Sequence, residues 1–160
     1  MAGQGQGMLQ PTKLILSDDF HDNLGLPGYQ SYTWTVGSDL AESLYIIPDG
    51  ITAEVMDFGF TVSDVLGTAN VTTLVLNKVL NGTTTALTNA ATWATTDAAG
   101  ATKSALRGDI TYTAAADTAA ERQLGPGVEL KVAATKGSAA AGIASIWVRL
   151  KFVSKDFGAI

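Results

Sequence analysis

Apolar residues recur at every second position in the longest patterned stretches of this chain, and that spacing restricts those stretches to strands. Met56, Phe58, Phe60 and Val62 alternate with Asp57, Gly59 and Thr61. Val128, Leu130 and Val132 alternate with Glu129, Lys131 and Ala133; Ile146, Val148, Leu150 and Phe152 alternate with Trp147, Arg149 and Lys151. Successive side chains of a strand point to opposite faces, so each segment buries one face and exposes the other.

Weaker patterns fill the rest. Leu14–Leu16 reads as a short strand, Tyr32, Trp34 and Val36 alternate with threonines, and Leu44 and Ile46 alternate with Ser43 and Tyr45. Val71 to Leu87 reads as a strand pair around Asn81-Gly82, a two-residue hairpin signal. Ile110 and Tyr112 suggest one more strand. Pro48-Asp49-Gly50 and Gly125-Pro126-Gly127 break the chain. Residues 88–103 read as a short helix or a long loop, and Ala114–Glu121 as one or two helical turns. About eight strands with few helices call for an all-β sandwich or barrel. Three segments are expected: a flexible arm at 1–11, an extension with short strands at 12–41, and the sandwich at 42–160.

The 160 residues suit one domain, long enough to bury a core without a staple. There are no cysteines, which excludes thiolate metal sites, thiol nucleophiles and redox switching. Charged residues are 16% of the chain, against about 25% in ordinary soluble domains. Small neutral and hydroxyl residues take their place, a composition suited to close packing against another protein. The net charge of -5 disfavours nucleic-acid binding, which needs clustered cations. Residues 1–60 hold eight acids and one base, whereas residues 61–160 hold seven acids and nine bases. No apolar run is long enough to span a bilayer, and no secretory signal is read before or after Lys13, so synthesis in the cytoplasm, without export by such a signal, is expected.

Chemistry-bearing constellations are scarce. The single histidine, His21, excludes a histidine-rich metal centre, and no Gly-x-Ser-x-Gly elbow occurs. Asp18-Asp19-Phe20-His21-Asp22 lacks the spacing of a calcium loop and reads as a solvated turn. Asp57, Asp109 and Glu129 are placed as exposed carboxylates. Arg107-Gly108-Asp109 matches a cell-adhesion tripeptide but reads as a turn. Neither a catalytic set nor a cofactor or metal site is expected, and the chain reads as a protein that binds and assembles, not as an enzyme.

Three features point to interfaces. Gly and Gln dominate residues 1–11, which cannot build a core, yet Met8 and Leu9 offer adjacent apolar anchors for attachment. Trp34 and Trp147 are candidate interface aromatics. Trp147 alternates with Ile146 and Val148, so it points outward, where it is either covered by a loop or used in binding.

The order from Pro48-Asp49-Gly50 through the Glu54–Val62 strand, the Thr-rich pair, Gly125-Pro126-Gly127, Val128–Thr135, the Ala139–Ala144 loop and Ser145–Phe152 resembles small jelly-roll head decoration, or cement, proteins of tailed bacteriophages. The likeness covers about residues 42–153, and residues 1–41 fall outside it. It implies an all-β antiparallel jelly-roll sandwich that sits as a homotrimer on the outer surface of an icosahedral capsid, bound to the major capsid protein; with the charge and hydropathy readings above, neither nucleic acid nor membrane is expected as a partner. The alternative is a carbohydrate- or receptor-binding sandwich of a head fibre or tail-spike tip.

Overall fold

The computed structural model describes residues 28–155. The arm with Met8 and Leu9, the Leu14–Leu16 segment and the Asp18–Asp22 cluster lie outside the described residues.

Among the described residues, ten strands form two antiparallel sheets: β1 (Tyr29–Thr35), β2 (Leu40–Ile46), β3 (Ile51–Asp64), β4 (Val71–Leu80), β5 (Thr83–Ala86), β6 (Ala91–Trp93), β7 (Thr102–Ser104), β8 (Gln123–Leu124), β9 (Glu129–Ala134) and β10 (Ile143–Lys155). The first sheet runs β1-β10-β3-β7, with β8 also on β3; the second runs β2-β9-β4-β5, with β6 also on β4. Consecutive long strands cross between the sheets, from β1 to β2, β3 to β4 and β9 to β10. This is a jelly-roll sandwich; of the sandwich and the barrel that the alternation allowed, the structure is the sandwich. No helix occurs among the described residues, so none there is long and apolar enough to cross a membrane.

The core is the inner face of each alternating strand. Ile146 lies opposite Phe60 and Val148 opposite Phe58, while Val132 lies opposite Leu76 in the second sheet. All six are fully buried. Trp93 sits among them, edge-on to Trp34 at 6.1 Å between ring centroids and tilted against Phe60 at 6.2 Å. The β4–β5 hairpin turns on Asn81 and Gly82, with φ of 50° and 78°. Positive φ at both positions is the geometry that favours Asn-Gly in a type I′ turn.

Several expectations are corrected. Seven residue pairs join β1 to β10, so residues 29–35 are integral to the first sheet, and a boundary at 41/42 cuts through β2. The alternation Met56, Phe58, Phe60 is interrupted: the register with β10 passes from Arg149–Asp57 to Leu150–Val55, leaving Met56 as the extra residue of a bulge. Met56 is therefore half-buried, and Glu54 moves to the outer phase with Asp57.

Residues 88–103 hold the three-residue strand β6 and the start of β7, joined by turns, and Thr88 and Tyr112 form an isolated bridge where a strand was expected. Ala114–Glu121 makes turns. Thr118 and Glu121 exchange capping-box hydrogen bonds, from the Thr118 N–H and hydroxyl to Glu121 Oε2 and from the Glu121 N–H back to Thr118 Oγ1. These bonds hold the fully exposed Glu121 carboxyl below its usual range. The stretch has no apolar stripe to pack, so the cap closes a turn and nothing propagates from it.

Candidate functional site

The outer face of the first sheet is built in rows read across β1, β10, β3 and β7. One row is Ser31, Trp147, Gly59 and Ser104; the next is Thr33, Ser145, Thr61 and Thr102. Tyr29, Arg149 and Asp57 form the row on the other side. Trp147 thus stands at the centre of a field of hydroxyls. Its indole lies over Gly59, where an added Cβ would sit 2.7 Å from Trp147 Cζ2 and 2.8 Å from Ser104 Cβ. Trp147 Nε1–H donates a long 3.4 Å bond to Thr61 Oγ1, which pairs with Thr102 Oγ1 at 3.0 Å. Tyr29, 57% exposed, meets the indole edge-on at 5.5 Å with ring planes at 74°.

Arg149 is exposed beside this platform, its guanidinium 5.9 Å from the Tyr29 ring centroid. Asp57 is its neighbour in register, yet the two form no ion pair; Lys103–Asp97 is the ion pair found among the described residues. Asp57 instead accepts hydrogen bonds from the Phe58 and Leu106 N–H groups at 2.9 and 2.8 Å and is only 5% exposed. The expectation of an exposed carboxylate at this position is therefore wrong, because the loop after β7 folds over it.

Of the candidate aromatics, Trp147 is on the surface and Trp34 is not. Trp34 is 3% exposed and belongs to the core. The outward residues of β1 are Tyr29, Ser31, Thr33 and Thr35, so the face that Trp34 shares with Val36 is the inner one.

Beside Asp57 lies a second group of ionisable residues: Glu54, Tyr112 and Arg122. Arg122 stacks over the Tyr112 ring at 4.5 Å and donates to the carbonyls of Ala116 and Asp117, stapling the 113–122 loop. Burial pushes the Tyr112 phenol up to about 12; Arg122 opposes this, and Asp57 and Glu54 add to it. These residues anchor a loop against β3, where the Val55 N–H donates to the Arg122 carbonyl. No group of three metal-ligating side chains occurs among the described residues.

The outer face of the second sheet differs in kind. Its rows are Ala41, Ala133 and Val75; Ser43, Lys131, Asn77 and Ala86; and Ile46, Glu129, Val79 and Thr84. One cation and one anion stand among small or aliphatic neighbours, and Ile46 is 59% exposed. A cleft of about 480 Å³ opens at the end of the sandwich between the β4–β5 hairpin and the 125–127 turn. Leu80, Leu124 and Val128 wall it, with Thr83 and Thr85, and Lys78 is the ionisable group that the described residues contribute.

Arg107-Gly108-Asp109 is an exposed turn with Gly108 at φ 83°. Both of its charged side chains are tied back: Arg107 donates to the Thr102 carbonyl, and Asp109 accepts from the Ser104 N–H.

No family model and no curated protein matches the chain. Among solved structures it is similar to the N-terminal cellulose-binding domain of β-1,4-glucanase C from Cellulomonas fimi, at 14% identity and a TM-score of 0.28, over 81% of this chain and 90% of that one.

Proposed function

We propose that this chain is a non-catalytic virion protein, a phage head decoration module that binds the outside of an icosahedral shell as a homotrimer. The observation that carries the reading is the outer face of the second sheet. Interface cores are depleted in charge and rich in apolar contact. Here Ile46, Val75 and Val79 lie among Ala41, Ala86 and Ala133, and the two charges present, Lys131 and Glu129, are of opposite sign. The resemblance in strand order and turn composition supports the same reading. A trimer on a repeating shell makes several contacts at once, so modest individual contacts become durable through effective concentration.

Sedimentation and electron cryomicroscopy of the particles with which the protein co-purifies test this. The parent chain is expected to sediment as a trimer and to occupy the outer shell. Ile46→Arg is expected to give a folded monomer that leaves the particle. A parent that is strictly monomeric at micromolar concentration and forms no trimer on particles overturns the proposal.

A second reading is favoured by a separate observation, the half-buried Trp147 at the centre of the opposite face. A tryptophan on an open sheet face among hydroxyls suits stacking against a sugar ring, as in a carbohydrate- or receptor-binding tip. The two readings use opposite faces of the sandwich, so one protein can satisfy both.

A further inference from the structure

We infer that the outer face of the first sheet takes an acidic pyranose, with the sugar ring stacked on Trp147 and its carboxylate at Arg149. This rests on the glycan reading of that face and adds the charge of the ligand.

The platform supplies the ring contact. Trp147 rests on the bare backbone of Gly59, so the indole lies low against the sheet, and it is only half-buried. Tyr29 rises as a wall at one edge, with its plane at 74° to the indole. A pyranose offers an apolar face of C–H bonds to an aromatic ring and a rim of hydroxyls. Ser31, Thr33 and Ser145 stand beside the indole in register and match that rim with groups that both donate and accept.

Arg149 supplies the selectivity. It lies two residues along β10 from Trp147, on the same face and roughly 7 Å away at strand rise. Its guanidinium has no carboxylate partner among the described residues. Asp57, which its register would pair with it, is held by the Phe58 and Leu106 N–H groups under the loop after β7. Lys151 follows, also exposed and, by the alternation of β10, on the same face. The β3 carboxylates opposite these cations, Asp57 across from Arg149 and Glu54 across from Lys151, are both buried, so the charges exposed next to the aromatic platform are the two cations. A planar guanidinium fork fits a carboxylate in two parallel hydrogen bonds. A sugar carrying one carboxylate per ring matches one aromatic platform and one such fork. A nucleic acid strand needs a longer run of cations and successive stacking residues, and the chain's net negative charge opposes it.

The test is titration of the full chain, followed by calorimetry and tryptophan fluorescence, with tetragalacturonate, a hyaluronan tetrasaccharide and sialyllactose. Methyl-esterified tetragalacturonate, cellotetraose and octathymidylate serve as comparison probes. At least one acidic sugar is expected to bind ten-fold or more tighter than the neutral probes, with affinity falling as salt rises. Arg149→Gln is expected to bring that sugar down to the neutral level while leaving the neutral probes unchanged. Trp147→Leu and, as a second variant with little effect on folding, Tyr29→Ser are expected to weaken acidic and neutral sugars alike. Equal binding of tetragalacturonate and its ester, with no acidic sugar preferred, overturns the acidic inference and leaves the glycan reading standing. Failure of every sugar to bind at millimolar concentration overturns both. Octathymidylate binding more tightly than any sugar overturns the inference and assigns the face to single-stranded nucleic acid.

Discussion

Trp147 lies across the α-carbon of Gly59, and the missing side chain of the glycine is what lets the indole lie against the sheet. An alanine Cβ there would also collide with the Lys103 carbonyl oxygen of β7, so relief requires moving a neighbouring strand. Gly59→Ala is expected to cost about 1–3 kcal/mol, as overpacking does, and to red-shift the Trp147 emission. Gly125→Ala is the control, because a Cβ added at Gly125 meets nothing within 4 Å. It is expected to stay within about 0.5 kcal/mol of the parent in denaturant unfolding.

Asp57 holds the loop after β7 to the sheet through the Leu106 N–H, and the same carboxylate caps the Phe58 N–H. Asp57→Ala strands both donors, and a buried donor left unpaired costs about 1–3 kcal/mol. Hydrogen exchange at Leu106 is expected to quicken markedly. Exchange at Leu76, whose N–H is bonded to Thr88 Oγ1 in the second sheet, is the reference and is expected to change only with global stability.

The long alternating strands and the Asn81-Gly82 turn are legible in the sequence because each is encoded locally: a period of two, or a pair of residues that tolerate positive φ. Trp147 is legible as outward for the same reason. The bulge at Met56 is not, because an extra residue leaves the alternation of Met56, Phe58 and Phe60 intact on paper and shows only in the pairing with β10. The strands β6, β7 and β8 are two or three residues long and exist because β3 and β4 offer edges to pair with, a tertiary effect that no local pattern carries. Trp34 escapes a correct assignment because alternation places residues on a common face without saying which face meets the other sheet. The platform at Trp147 needs Gly59 and Tyr29 beside it, and strands far apart in sequence bring these together.

The tryptophans are expected to separate into structural and surface roles. Trp93 is fully buried against Trp34 and Phe60, so Trp93→Ala is expected to cost about 3–5 kcal/mol. Trp147→Ala removes a half-buried ring from an outer face and is expected to cost about 1 kcal/mol. Urea unfolding of the two variants measures the difference. Comparable losses would mean that Trp147 is a packing residue and would weaken the case for a binding platform.

Alkaline pH singles out Tyr112. Its phenol is pushed up to about 12, first by burial and then by Asp57 and Glu54, while Arg122 pulls the other way. Below about pH 10 both folded and unfolded chains hold the proton, and Tyr112 adds no pH dependence. Between about pH 10 and 12 the unfolded chain releases it while the folded chain keeps it. The unfolded state then binds fewer protons, so stability falls as pH rises through this window. Tyr112→Phe removes that component and keeps the ring beneath the Arg122 guanidinium. The buried hydroxyl has no partner among the described residues, so at pH 8 the variant is expected to match the parent within about 1 kcal/mol. Burial also raises Tyr45, so some alkaline loss is expected to remain. Urea unfolding at pH 8 and pH 11 is the measurement: the parent is expected to lose more stability than Tyr112→Phe between the two, and equal losses would remove Tyr112 as the source.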